Sequence, residues 1–222
     1  TANGVAVCTA TATQGAPVIA PDGAGGVIIA WTDARTSVLT DVYAQRLNSS
    51  GVAQWTANGV AVCTAANSQD QIALTGDGSG GAILVWRDPR NGAADLYAQR
   101  VSAAGAAQWT ANGVIVSNAI DTQAAPAIVS GAGGTSFVVW EDARNWAVSG
   151  VDLYGQNLSA GGGPLWAVNG VVLVGAVNDQ TSASVIANPS GSVLMSWTDA
   201  RFGIPDIWAG SFFSSGTAQW TV

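Results

Sequence analysis

The chain has 222 residues, of which 48% are apolar and only 9% are charged, a composition that excludes a disordered polypeptide. The net charge of −7 disfavours nucleic acid and anionic membrane surfaces as partners. The sequence contains no His and no Lys, which excludes imidazole acid–base chemistry, His-ligated zinc and Schiff-base catalysis.

A fourfold internal repeat covers the whole chain. Two sets of Trp residues recur with spacings of 54 to 57 residues. The first set is Trp31, Trp86, Trp140 and Trp197, and the second is Trp55, Trp109, Trp166 and Trp220. The repeats run approximately over residues 1–55, 56–109, 110–166 and 167–222. We therefore expect a single domain, residues 1–222, built from four similar units.

Each unit is predicted to contain four short strands. In the first unit, residues 16–20 are apolar and precede a Gly-rich turn, and residues 26–32 are rich in β-branched and aromatic side chains. Residues 41–47 alternate, and residues 52–62 form an outer segment that an Asn-Gly pair interrupts. Such runs between Gly, Asn, Asp and Ser clusters are typical of hairpin strands. The units predict an all-β fold, a four-bladed β-propeller, with a β-sandwich or a β-solenoid as the alternatives.

The recurring motifs W-x-D-x-R, D-(V/L)-Y-A-Q and Q-W-x-x-N-G-V extend over the full length of the sequence. In these motifs the chain resembles the propeller-like tandem repeats of large secreted bacterial surface proteins. The resemblance implies an extracellular or cell-surface location, and it brings no known enzymatic residues. Because the sequence has neither an initiator Met nor a signal peptide, we interpret it as a piece of a longer protein.

The two ends of the chain carry complementary halves of one outer segment. Residues 1–7 match the second half of that segment, and residues 216–222 match the first half. We expect these pieces to pair, so that the N-terminus completes the outer strand of the last blade and closes the ring. Completion by a neighbouring molecule, which would propagate a fibre, is the alternative.

Each unit also carries one Arg and two Asp residues from the W-x-D-x-R motif and its downstream Asp. These are Asp33, Arg35 and Asp41; Asp88, Arg90 and Asp95; Asp142, Arg144 and Asp152; and Asp199, Arg201 and Asp206. We expect each Arg to bridge its two carboxylates, because a guanidinium fork binds them bidentately. Four copies indicate a structural cluster, whereas the alternative, a carboxylate pair for glycoside hydrolysis, is needed only once.

Two Asp-Gly turns resemble calcium loops in their oxygen-rich composition. Asp22 and Asp77 begin these turns. Oxygen ligands suit Ca²⁺, but Asp-Gly followed by Gly-Gly is also a tight-turn signature. We interpret both as plain turns and predict no cofactor, with Ca²⁺ as the alternative.

Candidate contacts for a ligand or partner lie near the predicted innermost strands and in the longest loops. They are Gln14, Gln69, Gln123, Gln180, Trp146 and Phe202. The four Gln residues occupy equivalent positions in the repeats, close to Asp70, Asp121 and Asp179. In a propeller these positions would lie near the mouth of the central channel. The Gln amides can bind a sugar hydroxyl, a water or an ion, or satisfy loop backbone groups instead. The two aromatic residues can stack on a sugar or anchor a partner, or else pack on the next blade.

Cysteines and sequons also recur in phase. Cys8 and Cys63 are repeat equivalents, and we predict unpaired thiols because a disulfide needs Cα atoms within about 7 Å. Asn48 and Asn157 begin N-x-S sequons beside turns, so both are candidates for glycosylation.

These features together predict a non-enzymatic, extracellular structural or interaction module, of the kind that self-assembles as the subunit of a fibre or surface layer. The expected partners are other copies of the chain or surface glycans, with no nucleic acid and no membrane insertion. The alternative is a carbohydrate-binding, lectin-type propeller with up to four equivalent sites. No catalytic and no metal-binding residue is expected.

Overall fold

The computed structural model describes residues 3–220, which form an all-β fold of four antiparallel sheets. The first sheet contains β1 (Gln14–Pro21), β2 (Val27–Asp33), β3 (Asp41–Leu47) and β4 (Val60–Cys63). The second contains β5 (Asp70–Gly76), β6 (Ala82–Asp88), β7 (Asp95–Val101) and β8 (Val114–Ser117). The third contains β9 (Gln123–Ser130), β10 (Ser136–Asp142), β11 (Asp152–Leu158) and β12 (Val171–Val174). The fourth contains β13 (Gln180–Ala187), β14 (Val193–Asp199) and β15 (Asp206–Phe212).

The strands of each sheet follow one another in sequence order, so every sheet is a meander. A 3₁₀ turn (Ala132–Gly134) joins β9 to β10, and a single-turn helix α1 (Trp146–Ser149) lies between β10 and β11. Two sets of connections define two opposite faces. The loop face carries the β2–β3, β6–β7, β10–β11 and β14–β15 connections, and the turn face carries the β1–β2, β5–β6, β9–β10 and β13–β14 connections.

Hydrophobic residues of neighbouring sheets form the core. Trp86 of the second sheet is fully buried in a cluster with the first sheet, and Trp140 of the third is fully buried in a cluster with the second. Trp197 belongs to the cluster between the third and fourth sheets. Because burying one large apolar side chain contributes roughly 2–3 kcal/mol, the repeated Trp positions hold the sheets together in a row.

The predicted closure by residues 1–7 and 216–222 is wrong for the residues that the structure describes. The fourth sheet has three strands there, and residues 3–7 form none; residues 1, 2, 221 and 222 lie outside the described chain. The N-terminal segment lies against the first sheet instead, where Arg35 donates to Cys8 Sγ at 3.3 Å. Its place there matches that of β4 against the second sheet, where Arg90 donates to Cys63 Sγ at 3.2 Å.

The innermost strands pack in a row. Strand β1 packs on β5, β5 on β9 and β9 on β13, and within residues 3–220 no comparable packing joins β13 to β1. Both ends of the row expose apolar side chains, since Ile19 of β1 is 64% exposed and Ile207 of β15 is 79% exposed. The assignment of one domain to residues 1–222 stays a prediction. In the described part of the chain, no helix has the length and hydropathy needed to span a membrane.

Candidate functional site

Each W-x-D-x-R motif forms a buried carboxylate–guanidinium pair. In the first unit, Arg35 Nε donates to Asp33 Oδ1 at 2.9 Å and Nη2 donates to Oδ2 at 2.5 Å. The indole Nε1 of Trp31 donates to the same Oδ2 at 2.7 Å. The other three units repeat the ion pair and the indole bond. The motif thus places a strand Trp, its neighbouring Asp and a loop Arg in one hydrogen-bonded group.

The second Asp of each unit is not bridged in the way the sequence predicted. Asp41 accepts a hydrogen bond from Thr36 Oγ1 at 2.6 Å, and Asp152 accepts one from Ser149 Oγ at 2.9 Å. Asp95 interacts with a loop Asn, and Asp206 is exposed. Loop side chains therefore bind the second carboxylate in the first three units, while each Arg pairs with the first carboxylate of its motif.

The remaining guanidinium contacts tie the loop to the outer segments. Arg35 Nη2 donates to the carbonyl oxygen of Asn58 at 2.8 Å, and its guanidinium lies 3.9 Å from the ring centroid of Tyr43. Equivalent cation–π contacts of 3.7 to 4.0 Å occur in the other three units. In the first three units the Arg therefore connects its β-hairpin loop with the outer segment of the same sheet.

The carboxyl groups of Asp33 and Asp199 are held ionised by their Arg partners. Burial alone would raise the pKa of Asp33, but hydrogen bonds from Arg35 and Trp31 outweigh it and lower that pKa to about 2. The same balance lowers the pKa of Asp199. Such carboxylates are unsuited to proton transfer near neutral pH, because they stay charged and fully hydrogen-bonded.

The thiols are unpaired, as the sequence predicted. Burial raises the pKa of Cys63 to about 11, so this thiol is protonated at neutral pH.

The four Gln residues serve their own loops. Gln69, Gln123 and Gln180 are completely buried, and Gln14 is partly exposed. The amide of Gln69 donates to the carbonyl oxygen of Asn67 at 3.0 Å, for example. The loop backbone thus accepts hydrogen bonds from the Nε2 groups of these amides, the second of the two roles that the sequence allows, and ligand contact by these residues stays a prediction.

The Asp-Gly turns are held by their own backbone and by an Arg. Asp22 Oδ1 accepts hydrogen bonds from the backbone N–H groups of Ala24 and Gly26, both at 2.8 Å, and Oδ2 accepts one from Arg46 Nε at 2.9 Å. The hydrogen bond from Ala24 leads the contributions that lower the pKa of Asp22. Asp77 repeats this arrangement in the second unit.

The two sequons differ in exposure. Asn157 is only 7% exposed, and its Nδ2 donates to the carbonyl oxygen of Ser214 at 3.2 Å. Its amide nitrogen is therefore already hydrogen-bonded, and glycosylation at this position stays a prediction. Asn48 is partly exposed, and glycosylation at that position stays a prediction.

The loop face of the third and fourth sheets presents the two aromatic residues of the longest loops. Trp146, on α1, is 69% exposed, and Phe202 is 75% exposed. The expectation that they pack on the next sheet is not met for Trp146, whose ring stands between two clefts. The first cleft, of about 390 Å³, is lined by Asp121 and Asn145 among others. The second, of about 490 Å³, contains Asp179.

Asp121 and Asp179 are exposed carboxylates on either side of this Trp. Asp179 Oδ1 accepts a hydrogen bond from the backbone N–H of Val151 at 2.9 Å, which joins the third loop to the fourth sheet. Gly150 permits this approach, since a Cβ there would lie 2.6 Å from Asp179 Oδ1 and its φ is +89°. The sequence places both Asp residues near the repeated Gln positions but does not associate them with Trp146. The greater length of the third loop was the signal that could have linked them.

Similar proteins were found by structure and not by sequence. No family model matches the chain, and no curated protein matches it. The endo-arabinase of Bacteroides thetaiotaomicron superposes with a TM-score of 0.54 at 16% identity, covering 90% of this chain and 75% of its own. A thermostable family-43 glycoside hydrolase gives 0.55 at 11% identity, with coverages of 96% and 76%. The fold is of the β-propeller type.

An α-L-arabinanase of Penicillium chrysogenum, solved with arabinobiose, gives a TM-score of 0.54 at 14% identity. The match covers 89% of this chain and 62% of the arabinanase, less than two thirds of its length. These neighbours contradict the prediction of a non-enzymatic structural module or lectin-type propeller, because they are glycoside hydrolases. They support the propeller fold, but neither self-assembly nor the resemblance to bacterial surface proteins.

Proposed function

We propose that the protein is a carbohydrate-processing enzyme that cleaves glycosidic bonds at the loop face of its third and fourth sheets. The observation that carries this proposal is the exposed Trp146 between two clefts that each contain an Asp carboxylate. Support for the substrate class comes from the structural neighbours, whose names include arabinanases and a family-43 glycoside hydrolase. Arabinan and xylan are therefore the first substrates to test.

The roles follow from the chemistry of the three side chains. An exposed indole stacks on the apolar face of a sugar ring. Glycoside hydrolysis needs two carboxyl groups on opposite sides of the scissile bond, one of which donates a proton to the leaving oxygen. Asp121 and Asp179 flank Trp146 and are assigned these two roles, whereas Asp33 and its equivalents keep the loops in place.

The proposal includes two structural and cellular statements. The four sheets are taken as four blades around a common axis, an arrangement supported by the packing of β1, β5, β9 and β13 in a row. The location is taken as extracellular, because polysaccharide substrates of the arabinan and xylan type lie outside the cell, and surface glycans are the expected partners.

The test is the release of reducing ends from arabinan and xylan by the purified protein. Asp121→Asn and Asp179→Asn should each abolish turnover, and Trp146→Ala should raise KM about fivefold, as expected for one stacking contact of about 1 kcal/mol. Asp206→Asn, which neutralises an exposed carboxylate that lines neither cleft, is the matched control and should retain activity. Absence of cleavage, or cleavage that survives both Asp substitutions, would contradict the proposal.

A further inference from the structure

On the turn face, the first and second sheets each contain an Arg–Asp ion pair that fills the space next to the adjacent sheet. Arg46 Nε donates to Asp22 Oδ2 at 2.9 Å, and Arg100 Nε donates to Asp77 Oδ2 at 2.9 Å. Arg46 also reaches the second sheet, where its Nη1 donates to the carbonyl oxygen of Ala103 at 3.3 Å. The guanidinium therefore occupies the crevice between the first and second sheets.

The third and fourth sheets lack both members of this pair. The turn hydrogen bonds align Asp22 with Gly131 and Asn188, because each of these residues donates its backbone N–H to the residue four positions later. At the position of Arg46, the third sheet has Asn157 and the fourth has Ser211. The charged pair is thus replaced by short neutral side chains at both positions.

The shorter side chains leave a cleft between the third and fourth sheets. Its volume is about 1030 Å³. A Cβ built on Gly80 of the second sheet would lie 3.5 Å from the Arg46 guanidinium, whereas a Cβ on Gly191, the equivalent in the fourth sheet, meets nothing within 4 Å. The space that the Arg46 side chain occupies between the first and second sheets is therefore open between the third and fourth sheets.

The lining of this cleft combines aromatic rings with neutral polar groups. Trp166 packs edge-on against Phe137, with ring centroids 5.2 Å apart, and its Nε1 donates to the carbonyl oxygen of Ser214 at 2.9 Å. Phe213 is 45% exposed. The polar lining includes the hydroxyl groups of Thr135, Ser190 and Ser215 and the amide groups of Asn157, Asn188 and Gln219. Among the described lining residues none is ionisable.

We propose that this cleft is a binding site for a neutral oligosaccharide. Its volume is at the upper end of the roughly 300–1,000 Å³ that small-molecule sites occupy. Hydroxyl and amide groups can donate to and accept from sugar hydroxyls, and the exposed aromatic edges suit the apolar face of a sugar. The missing charges disfavour an ionic ligand, because neither a cation nor an anion would find a counter-charge. The site is single, since it arises where the repeats differ.

The site is independent of the proposed hydrolysis. It lies on the turn face, at the end of the strands opposite to Trp146, so a polysaccharide held there would be an accessory contact. Loss of activity at the loop face would leave binding at this cleft unchanged.

The experiment titrates the protein with arabinohexaose, xylohexaose, cellohexaose and maltohexaose and follows the Trp166 indole N–H by NMR. At least one probe should shift that signal. The triple variant Gly131→Asp, Thr135→Gly, Asn157→Arg installs the residues of the first sheet and should weaken binding about tenfold or more, equal to about 1.4 kcal/mol. Asp206→Asn, on the loop face, is the control and should bind as the parent protein does.

Two results would overturn the proposal. One is the absence of any Trp166 shift with all four probes at about 10 mM, well above the Kd of a weak millimolar site. The other is unchanged binding in the filled variant. If the triple variant fails to fold, Phe213→Ala, which removes a partly exposed side chain of the cleft, takes its place. Unchanged binding in that variant would also overturn the proposal.

Discussion

Replacing Arg35 by Met tests whether the four Asp–Arg pairs stabilise the fold. The substitution keeps an unbranched apolar stem and removes the guanidinium. Asp33, which is completely buried, then loses the hydrogen bonds at 2.9 and 2.5 Å and keeps those from Trp31 Nε1 and the backbone N–H of residue 35. A buried carboxylate without its counter-charge costs roughly 3–5 kcal/mol.

The lowered pKa of Asp33 supports a free-energy cost of this size. A fall from 3.8 to about 2 on folding contributes about 2 kcal/mol at neutral pH. The lost cation–π contact with Tyr43 adds about 0.5–1 kcal/mol. We therefore expect Arg35→Met to lower the free energy of unfolding by about 3–4 kcal/mol at pH 7.

The pH dependence of the free energy of unfolding should change sign in the Arg35→Met variant. In the parent protein the lowered pKa of Asp33 gives stability that is present above about pH 4 and lost as the pH falls towards 2. In the variant, burial without Arg35 raises the pKa of Asp33 above its unfolded value. The folded state then holds the extra proton, so the stability of the variant should fall as the pH rises above about 4.

The assay is urea unfolding of the parent, Arg35→Met, and the double variant Asp33→Asn/Arg35→Met between about pH 3 and 7. The double variant removes the stranded charge and should recover a large part of the loss. A loss below about 1 kcal/mol at pH 7, or a double variant no more stable than the single one, would refute the reasoning.

Two further predictions concern the packing of the units. Gly113 has a φ of +92°, and a Cβ there would lie 2.7 Å from the buried ring of Trp86. Gly113→Ala should therefore lower the free energy of unfolding, measured by heat or urea, by about 3 kcal/mol. Gly78→Ala, which has open space around the new methyl group, should lower it by only about 1 kcal/mol. Equal losses would contradict this account. Because burial raises the pKa of Cys63 to about 11, its thiol in a Cys8→Ser variant should resist Ellman's reagent at pH 8 until urea unfolds the chain. Rapid reaction of the folded variant would contradict that protection.

The strand positions could be predicted because the local pattern and the repeat agree. In the first unit the expected residues 26–32 and 41–47 match β2 (Val27–Asp33) and β3 (Asp41–Leu47) closely. The outer segment was predicted too long, because a turn at residues 55–59 leaves only an isolated bridge at Ala53 and the short β4. Buried β-branched and aromatic runs decide the inner strands, whereas turn geometry decides the outer one.

The proposed site was harder to predict because it lies where the repeats differ. Fourfold recurrence correctly identified Asp33 and its Arg partner, but it does not specify that Thr36 rather than Arg35 binds Asp41. A site that occurs once leaves no trace in the repeated residues. The third loop, with Trp146, and the loss of the Asp22–Arg46 pair in later units each break the symmetry.

The row of sheets described above has a consequence for the order in which the protein opens. Within the described residues, each sheet packs substantially only on the sheets adjacent to it in sequence. Stability then follows a nearest-neighbour rule, and a sheet at either end, which has one neighbour, can open while the others stay folded. The fourth sheet, with its exposed Ile207 and three strands, is expected to exchange its backbone amide hydrogens first, and the second sheet, which has a neighbour on both sides, much later.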